Sequence, residues 1–315
     1  MRFPTTAIFL ILLPASIQVM AQGFDDEFDS YVLKSGWSWL REDRPYWQLT
    51  GTAMRITTQP GALNGPDYND VRNILLQDAP SGDFRMDTRL IFTPDSIFHN
   101  AGLIYRLDDD NYVRVSRGRW DSVNGLWLEW EYHAVTDFIF VTNDQPDTVI
   151  LRMSCVGGKT FRASYTRDGN TWVRIGETTV PFDSGKAQIG IQAANGRGVL
   201  ATTARIPATF DYFRLIIGEA DRTPVAPAET PTIESVYPNP VHAGGEFSLV
   251  CTFPRTGTVV IRLTDALGRE IKRDVSFENA GRGEKTLSLS GVAPGVYFIS
   301  LHEGMRGMRR TLVVH

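Results

Sequence analysis

Between residues 84 and 118 apolar and polar positions alternate. Phe84, Met86, Thr88, Leu90 and Phe92 fall on one side of a period-2 pattern, with Arg85, Asp87, Arg89 and Ile91 on the other, which is the spacing of a β-strand. Thr93-Pro94-Asp95-Ser96 ends that strand, because proline cannot donate to a ladder and Asp and Ser favour turns. Residues 101–106 predict a second strand, Leu107-Asp108-Asp109-Asp110-Asn111 a polar turn, and residues 112–117 the returning strand. Antiparallel strands with one apolar face need a second sheet to cover that face, so the pattern predicts an all-β sandwich.

The same alternation predicts strands at 53–58 and 73–77, and downstream at 126–133, 138–142, 148–155, 161–166, 172–178, 187–192 and 209–217. Residues 59–70 form a Gly/Pro/Asn-rich loop, and Arg167-Asp168-Gly169-Asn170 is a hairpin signal. Segments 24–28 and 210–213 share an aromatic and acidic pattern that suits paired first and last strands. No segment sustains a 3.6-residue period, so residues 22–218 read as one all-β domain. Residues 219–232, rich in Pro, Ala, Thr and acidic side chains, carry too little apolar surface to fold and read as a linker. Residues 233–315 form a second, smaller β domain, with strands at 247–253, 258–264, 285–289, 295–302 and 310–314.

Residues 1–21 have the layout of a secretory signal: Arg2, an apolar run over 7–13, Pro14, and the small-residue end Val19-Met20-Ala21. That run falls short of the ~20 residues a membrane span needs. The formal charge of −4, with no basic patch interleaved with aromatics, does not imply a nucleic-acid partner, and none is expected. Cys155 and Cys251 stand in different predicted domains, without neighbours at metal-ligand spacing, and read as buried free thiols. Gly157-Gly158-Lys159-Thr160 lacks the upstream glycine of a phosphate loop and reads as a turn.

Two resemblances add to this reading. Tyr237-Pro238-Asn239-Pro240, then the run from Leu263 to Arg269 with Asp265 and Gly268, then Pro294-Gly295-Val296-Tyr297, and finally Arg309-Arg310-Thr311-Leu312 occur in order. Together they resemble the sorting domain of the Bacteroidetes type IX secretion system. The resemblance implies a small immunoglobulin-like sandwich, with Pro238, Asn239, Pro240, Asp265, Gly268, Gly295 and Tyr297 as its motif residues. It also implies the secretion machinery as partner, passage through the periplasm, cleavage on export, and a final place at the cell surface or in the medium. The N-terminal domain resembles the concanavalin A-like jelly roll at the C-terminus of family 43 β-xylosidases. The match runs through residues 37–49, 84–94, Ala101-Gly102-Leu103-Ile104-Tyr105, 108–113 and 210–215. It implies two antiparallel sheets with carbohydrate handled on a concave face, no required cofactor, and a structural calcium ion near the first and last strands. Asp26 and Asp211 are the candidate calcium ligands, with Asp–Arg pairing or solvent exposure as the alternative.

The candidate chemistry follows from the aromatics. Sugar rings present C–H faces that stack on aromatic rings, and neighbouring charged side chains hydrogen-bond the hydroxyls. Trp37, Trp39, Arg41, Trp47, Tyr105, Arg106, Tyr112, Arg114, Trp127 and Glu129 are therefore candidates to bind an extracellular polysaccharide or glycoconjugate. Alternation puts Trp127, Glu129 and Glu131 on one face and Trp130 on the other, so Trp127 and Glu129 point to a groove and Trp130 to the core. A glycosidase needs two carboxylates flanking the bond it breaks. Glu129 and Glu131 are the nearest such pair, and His133 is the candidate base of a lyase; polar residues on a solvated strand are the competing account. Three functions follow: non-catalytic glycan binding, a glycoside hydrolase or polysaccharide lyase, and a surface adhesion or structural module.

Overall fold

The computed structural model describes residues 23–66, 68–120, 123–142, 147–183, 185–196, 203–218, 225–226, 231–265, 269–303 and 306–315. The candidate signal, most of the candidate linker and Gly268 lie outside them.

The first part of the chain contains β1 (Phe24–Asp26), β2 (Ser38–Leu40), β3 (Trp47–Leu49), β4 (Met54–Thr57), β5 (Ile74–Asp78), β6 (Phe84–Ile91), β7 (Asn100–Asp108) and β8 (Asn111–Trp120). It continues with β9 (Val123–Tyr132), β10 (Val135–Thr142), β11 (Thr148–Val156), β12 (Thr160–Thr166), β13 (Trp172–Thr179), β14 (Gln188–Ala194), β15 (Pro207–Ile217) and β16 (Val225–Ala226). Two sheets result. One has the order β16-β13-β12-β11-β6-β15-β4-β3, with β1 also on β15; the other is seven-stranded, β10-β9-β8-β7-β14-β5-β2. They face each other as a jelly-roll sandwich, and the alternating residues pack between them. Met86, Leu90 and Phe210 come from the first sheet and Leu103, Val113, Val115 and Leu128 from the second, all fully buried. The expected pairing of first and last strands is present, with Asp26 opposite Phe213. Among the described residues no helix is long and apolar enough to cross a membrane.

The remainder folds as β17 (Thr232–Tyr237), β18 (Glu246–Phe253), β19 (Gly257–Asp265), β20 (Glu270–Glu278), β21 (Gly281–Ser288), β22 (Gly295–Glu303) and β23 (Arg306–Val314). These make a three-stranded sheet, β17-β18-β21, and a four-stranded one, β20-β19-β22-β23. Its motif residues hold this small sandwich together. Asn239 donates to Thr311 O at 3.0 Å and accepts from Val313 N at 2.9 Å, fastening the last strand. Asp265 accepts from Arg269 N at 2.9 Å, and the Tyr297 hydroxyl donates to Ala293 O at 2.8 Å. Cys155 and Cys251 are both buried and free.

Three differences from the sequence pattern matter. β17 and β20 are strands the pattern did not predict; β20 is an edge strand whose Ile271 and Val275 are exposed among charged residues. An edge strand of this kind presents no buried face for alternation to report. β8 continues to Trp120, beyond the predicted end at residue 117.

Candidate functional site

The site is built on the outer face of the seven-stranded sheet. Cross-strand pairing sets Tyr112 opposite Glu131, Arg114 opposite Glu129 and Ser116 opposite Trp127. On the other side of β9, Thr136, Phe138 and Phe140 stand opposite Glu131, Glu129 and Trp127. Residues opposite one another share a face, so one side of β8, β9 and β10 carries all of these side chains. The alternation of β8 continues from Ser116 through Gly118 to Trp120, which joins the same face. Trp130 lies on the inner side and packs against the sandwich core.

Part of this outer face is covered. The loop between β4 and β5 folds back across the sheet, and its Leu63 and Val71 pack with Ile74, Leu76, Ile104, Tyr112 and Ala194 in a small separate apolar cluster. Gly65 N donates to Glu131 Oε2 at 2.9 Å, and Asn69 Nδ2 to Asp110 Oδ1 at 2.6 Å, which pins the loop. The two apolar residues within an otherwise Gly/Pro/Asn-rich segment were its sequence signal. What the loop leaves uncovered is a pocket of about 350 Å³, lined on this domain by Leu63, Phe98, Arg114, Trp120, Trp127 and Phe138, with Glu129 at its polar end. Val296, Phe298 and Thr311 of the C-terminal sandwich close its far side.

The polar end is a buried network. The Tyr112 hydroxyl oxygen lies 2.6 Å from Glu129 Oε1 and 2.7 Å from Leu63 O, so its one proton is shared between them. Arg114 Nη2 donates to Glu129 at 2.7–2.8 Å. Burial works against the Arg114 charge, but the Glu129 carboxylate outweighs it and raises the guanidinium above its usual range. Burial, followed by the Glu129 charge, pushes the Tyr112 phenol well up. Two of the Arg114 nitrogens, Nε and Nη1, have no hydrogen-bond partner among the described residues, and the same is true of Trp127 Nε1. These are buried donors beside a pocket, and a buried donor without an acceptor carries the full cost of its lost hydration.

Glu131 is fully buried under the loop, where it accepts from Gly65 N and, at 2.7 Å, from Thr136 Oγ1. Desolvation raises its carboxyl above the usual range. A carboxyl raised in the folded state stabilises the fold below its unfolded pKa and loses that contribution as pH rises through the folded value. Glu131→Gln is accordingly expected to be at least as stable as the natural chain at pH 8 and to lose that standing as pH falls towards 4, read from thermal midpoints across the range.

The sequence candidates divide sharply by position. Tyr112, Arg114, Trp127 and Glu129 come together in the network just described. Tyr105 points the other way, into the sandwich, where its ring lies 4.8 Å from Phe161 and 6.2 Å from Phe84. Trp39 and Trp47 pack on each other at 4.5 Å with their rings tilted by 33°, and β2, which carries Trp39, is the sheet edge opposite β10. Trp37 packs edge-on against Phe24 and Phe213. Arg41 and Arg106 both clamp Asp109 in the β7–β8 turn, with Arg41 also donating to Val71 O at 2.6 Å. Burial tends to raise the Asp109 carboxyl, but these two arginines hold it below its usual value. Periodicity alone does not separate these groups, because every strand has two faces and only the packing partners assign them.

The catalytic candidates lie in three different settings. Both Glu129 oxygens are engaged by Arg114 and Tyr112, and Glu131 is sealed under the loop. His133 is not on the face of Glu129. It sits in the β9–β10 turn at φ +50°, with an exposed ring 3.4 Å from Asp183. The calcium candidates are also committed elsewhere. Asp26 accepts from Trp37 Nε1 at 2.8 Å and Phe28 N at 2.9 Å, and Asp211 is paired with Arg89. No group of three His, Cys, Asp or Glu among the described residues is arranged to hold a metal ion. The pair does not fit the ion that the resemblance implies.

One glycine sets the position of Trp127. A Cβ on Gly118 would lie 2.4 Å from His99 O and 2.8 Å from Trp127 Cη2. The ring could swing aside, but the carbonyl belongs to backbone, so the strands themselves would also have to shift. Gly118→Ala is expected to cost about 1–3 kcal/mol and to change the near-ultraviolet circular dichroism of the tryptophans.

Comparison with known proteins gives the same architecture. The profile of the β-xylosidase C-terminal concanavalin A-like domain matches residues 25–215, and that of the secretion system C-terminal sorting domain matches residues 235–315. No curated protein matches the chain. Among solved structures, the GH43 protein BlXynB from Bacillus licheniformis is similar at 19% identity, covering 61% of this chain and 39% of that one, with a TM-score of 0.53. GH43B of the Bacteroides ovatus xyloglucan locus is similar at 20% identity, covering 64% and 40%, with a TM-score of 0.52. The xylan β-1,4-xylosidase from Bacillus halodurans C-125 is similar at 18%, covering 66% and 41%, with a TM-score of 0.50. The chain thus spans about two-fifths of the length of each of these proteins. The sorting domain marks it for export to the cell surface or medium by type IX secretion. By its match over residues 25–215, the chain belongs to the β-xylosidase C-terminal concanavalin A-like domain family, here joined to a secretion system sorting domain.

Proposed function

We propose that the exported protein binds an extracellular glycan, without cleaving it, in the pocket on the outer face of β8, β9 and β10. The observation that carries this reading is a pocket walled by Trp120, Trp127 and Phe138, whose lining residues Arg114 and Trp127 also hold buried donors without a protein acceptor, Arg114 Nε and Nη1 and Trp127 Nε1. A saccharide answers both needs: its hydroxyl and ring oxygens accept from the donors, and its C–H faces pack on the rings. Catalysis is disfavoured because both Glu129 oxygens are engaged by Tyr112 and Arg114, and Glu131 lies fully buried beneath the β4–β5 loop, away from the pocket lining. Family membership makes xylan the first glycan to try.

Affinity electrophoresis tests the reading. The full chain and its Phe298→Asp form, whose pocket wall is loosened, are run through gels containing xylan, β-glucan, arabinan or pectin. Retardation in at least one gel, lost on Trp127→Ala, is expected. Unretarded migration of both forms in every gel overturns glycan binding and favours a protein ligand; release of reducing sugar from any of these polymers overturns the non-catalytic part.

A further inference from the structure

The C-terminal sandwich faces the pocket with an unusual surface. Along β22, Tyr297, Ile299 and Leu301 point into the sorting domain's own core, so Val296, Phe298 and Ser300 point outward. Cross-strand pairing adds Thr264 from β19 opposite Phe298, and Thr311 and Arg309 from β23 opposite Phe298 and Ser300. On an isolated domain these polar residues would meet water. Here Thr264, Ser300, Arg309 and Thr311 are 1–9% exposed, because the jelly roll covers them.

The two sides of this contact differ in chemistry. The jelly-roll side is aromatic. Phe298 lies 5.2 Å from Trp120 and 5.8 Å from Phe138, and the guanidinium of Arg310 stands 5.5 Å from the Trp130 ring. Thr311 N donates to Asp137 Oδ1 at 3.3 Å, and Arg310 Nη1 is 3.8 Å from Asp137 Oδ2. The sorting side, apart from Val296 and Phe298, is polar. Separation therefore returns a solvated surface to the sorting domain, as in inter-domain contacts that open. On the jelly roll it bares an aromatic patch of the kind that marks a binding site. It also frees β10, which is the edge of its sheet, as β23 is of its own.

We propose that the sorting domain is an intramolecular gate on the pocket. Docked, it supplies the Val296–Phe298–Thr311 wall and leaves about 350 Å³, room for a short saccharide. Displaced, it opens the aromatic face to a polymer. A polymer needs the Trp120 and Phe138 surface that Phe298 covers, so polymer and sorting domain compete. This inference rests on the glycan reading for the identity of the ligand, but the gate itself has its own readouts.

The test compares the full chain with Phe298→Asp and, as a second route that also leaves the sorting core untouched, Val296→Asp. Small-angle scattering reports the radius of gyration, and acrylamide quenching reports access to Trp120, assigned by difference against Trp120→Phe in each background. A larger radius, about twofold stronger Trp120 quenching, and about tenfold tighter retention by a retarding polymer are expected, because apparent affinity scales with the open fraction. Unchanged radius and quenching in both variants overturn the gate whatever the gels show. So does an opened chain whose affinity for a retarding polymer stays the same. If no gel retards any form, the glycan reading falls, and scattering and quenching still decide the gate.

Discussion

Glu129→Ala is expected to destabilise the jelly roll by about 3–5 kcal/mol, the cost of removing one partner of a buried ion pair. Arg114 is 6% exposed and already carries two nitrogens without partners. Its charge is tolerated in the sheet because Glu129 lies 2.7 Å away. Without that carboxylate the guanidinium remains buried and uncompensated, and the Tyr112 hydroxyl keeps only Leu63 O. For a domain of this size each kcal/mol lowers the thermal midpoint by roughly 2–4 °C, so a drop on the order of 10 °C is expected. Glu129→Ala combined with Arg114→Leu should recover most of the loss, since replacing a whole buried pair by apolar groups is often neutral. Urea titrations of the two single variants and the double variant complete the cycle. A Glu129→Ala loss under about 1 kcal/mol would show that water solvates the pair, and would remove the argument that Glu129 is structural rather than free for chemistry.

Trp127→Ala carries the second large effect, on binding. Trp127 is held at a fixed angle by Phe140, at 5.8 Å, and by Trp120, edge-on at 6.5 Å. Its ring lines the pocket, and its buried N–H has no protein acceptor. A central aromatic of this kind costs about 2 kcal/mol or more when truncated, so affinity for the retarding glycan is expected to fall at least about 30-fold. Trp127→Phe separates the two contributions: it keeps most of the stacking surface and loses one hydrogen bond, for a fall of roughly three- to tenfold. Trp39→Ala, at the opposite edge of the sheet, should leave affinity unchanged. Isothermal titration calorimetry on these three variants reads the series. Equal losses for Trp127→Ala and Trp39→Ala would mean that global loosening, not the pocket, is being measured.

The period-2 alternation and the turn residues made much of the fold legible. Asp168 shows why: it accepts from Asn170 N and Thr171 N, both at 2.8 Å, and closes its hairpin within four residues. The pairing of the first and last strands was readable from matching aromatic and acidic segments. Trp127 and Glu129 were readable as neighbours on one face of β9, since a strand's period fixes that without reference to any partner. Trp120 was missed for a local reason: Gly118 reads as the end of a strand, yet the ladder continues through it, and a side chain there would meet His99 O and Trp127.

What remained illegible was everything decided between distant segments. Tyr105 and Tyr112 look alike in sequence, yet one fills the sandwich and the other anchors the loop that covers the outer face. Asp26 and Asp211 read as metal ligands, and they are occupied by Trp37, Phe28 and Arg89. The sequence by itself determined that this is an exported all-β protein with a concanavalin A-like domain and a sorting domain, because local periodicity, turn chemistry and short motifs specify those features. Only the tertiary structure decided which aromatics share a pocket, which carboxylates are spent and what lies across the entrance, because those depend on contacts between residues far apart in the chain.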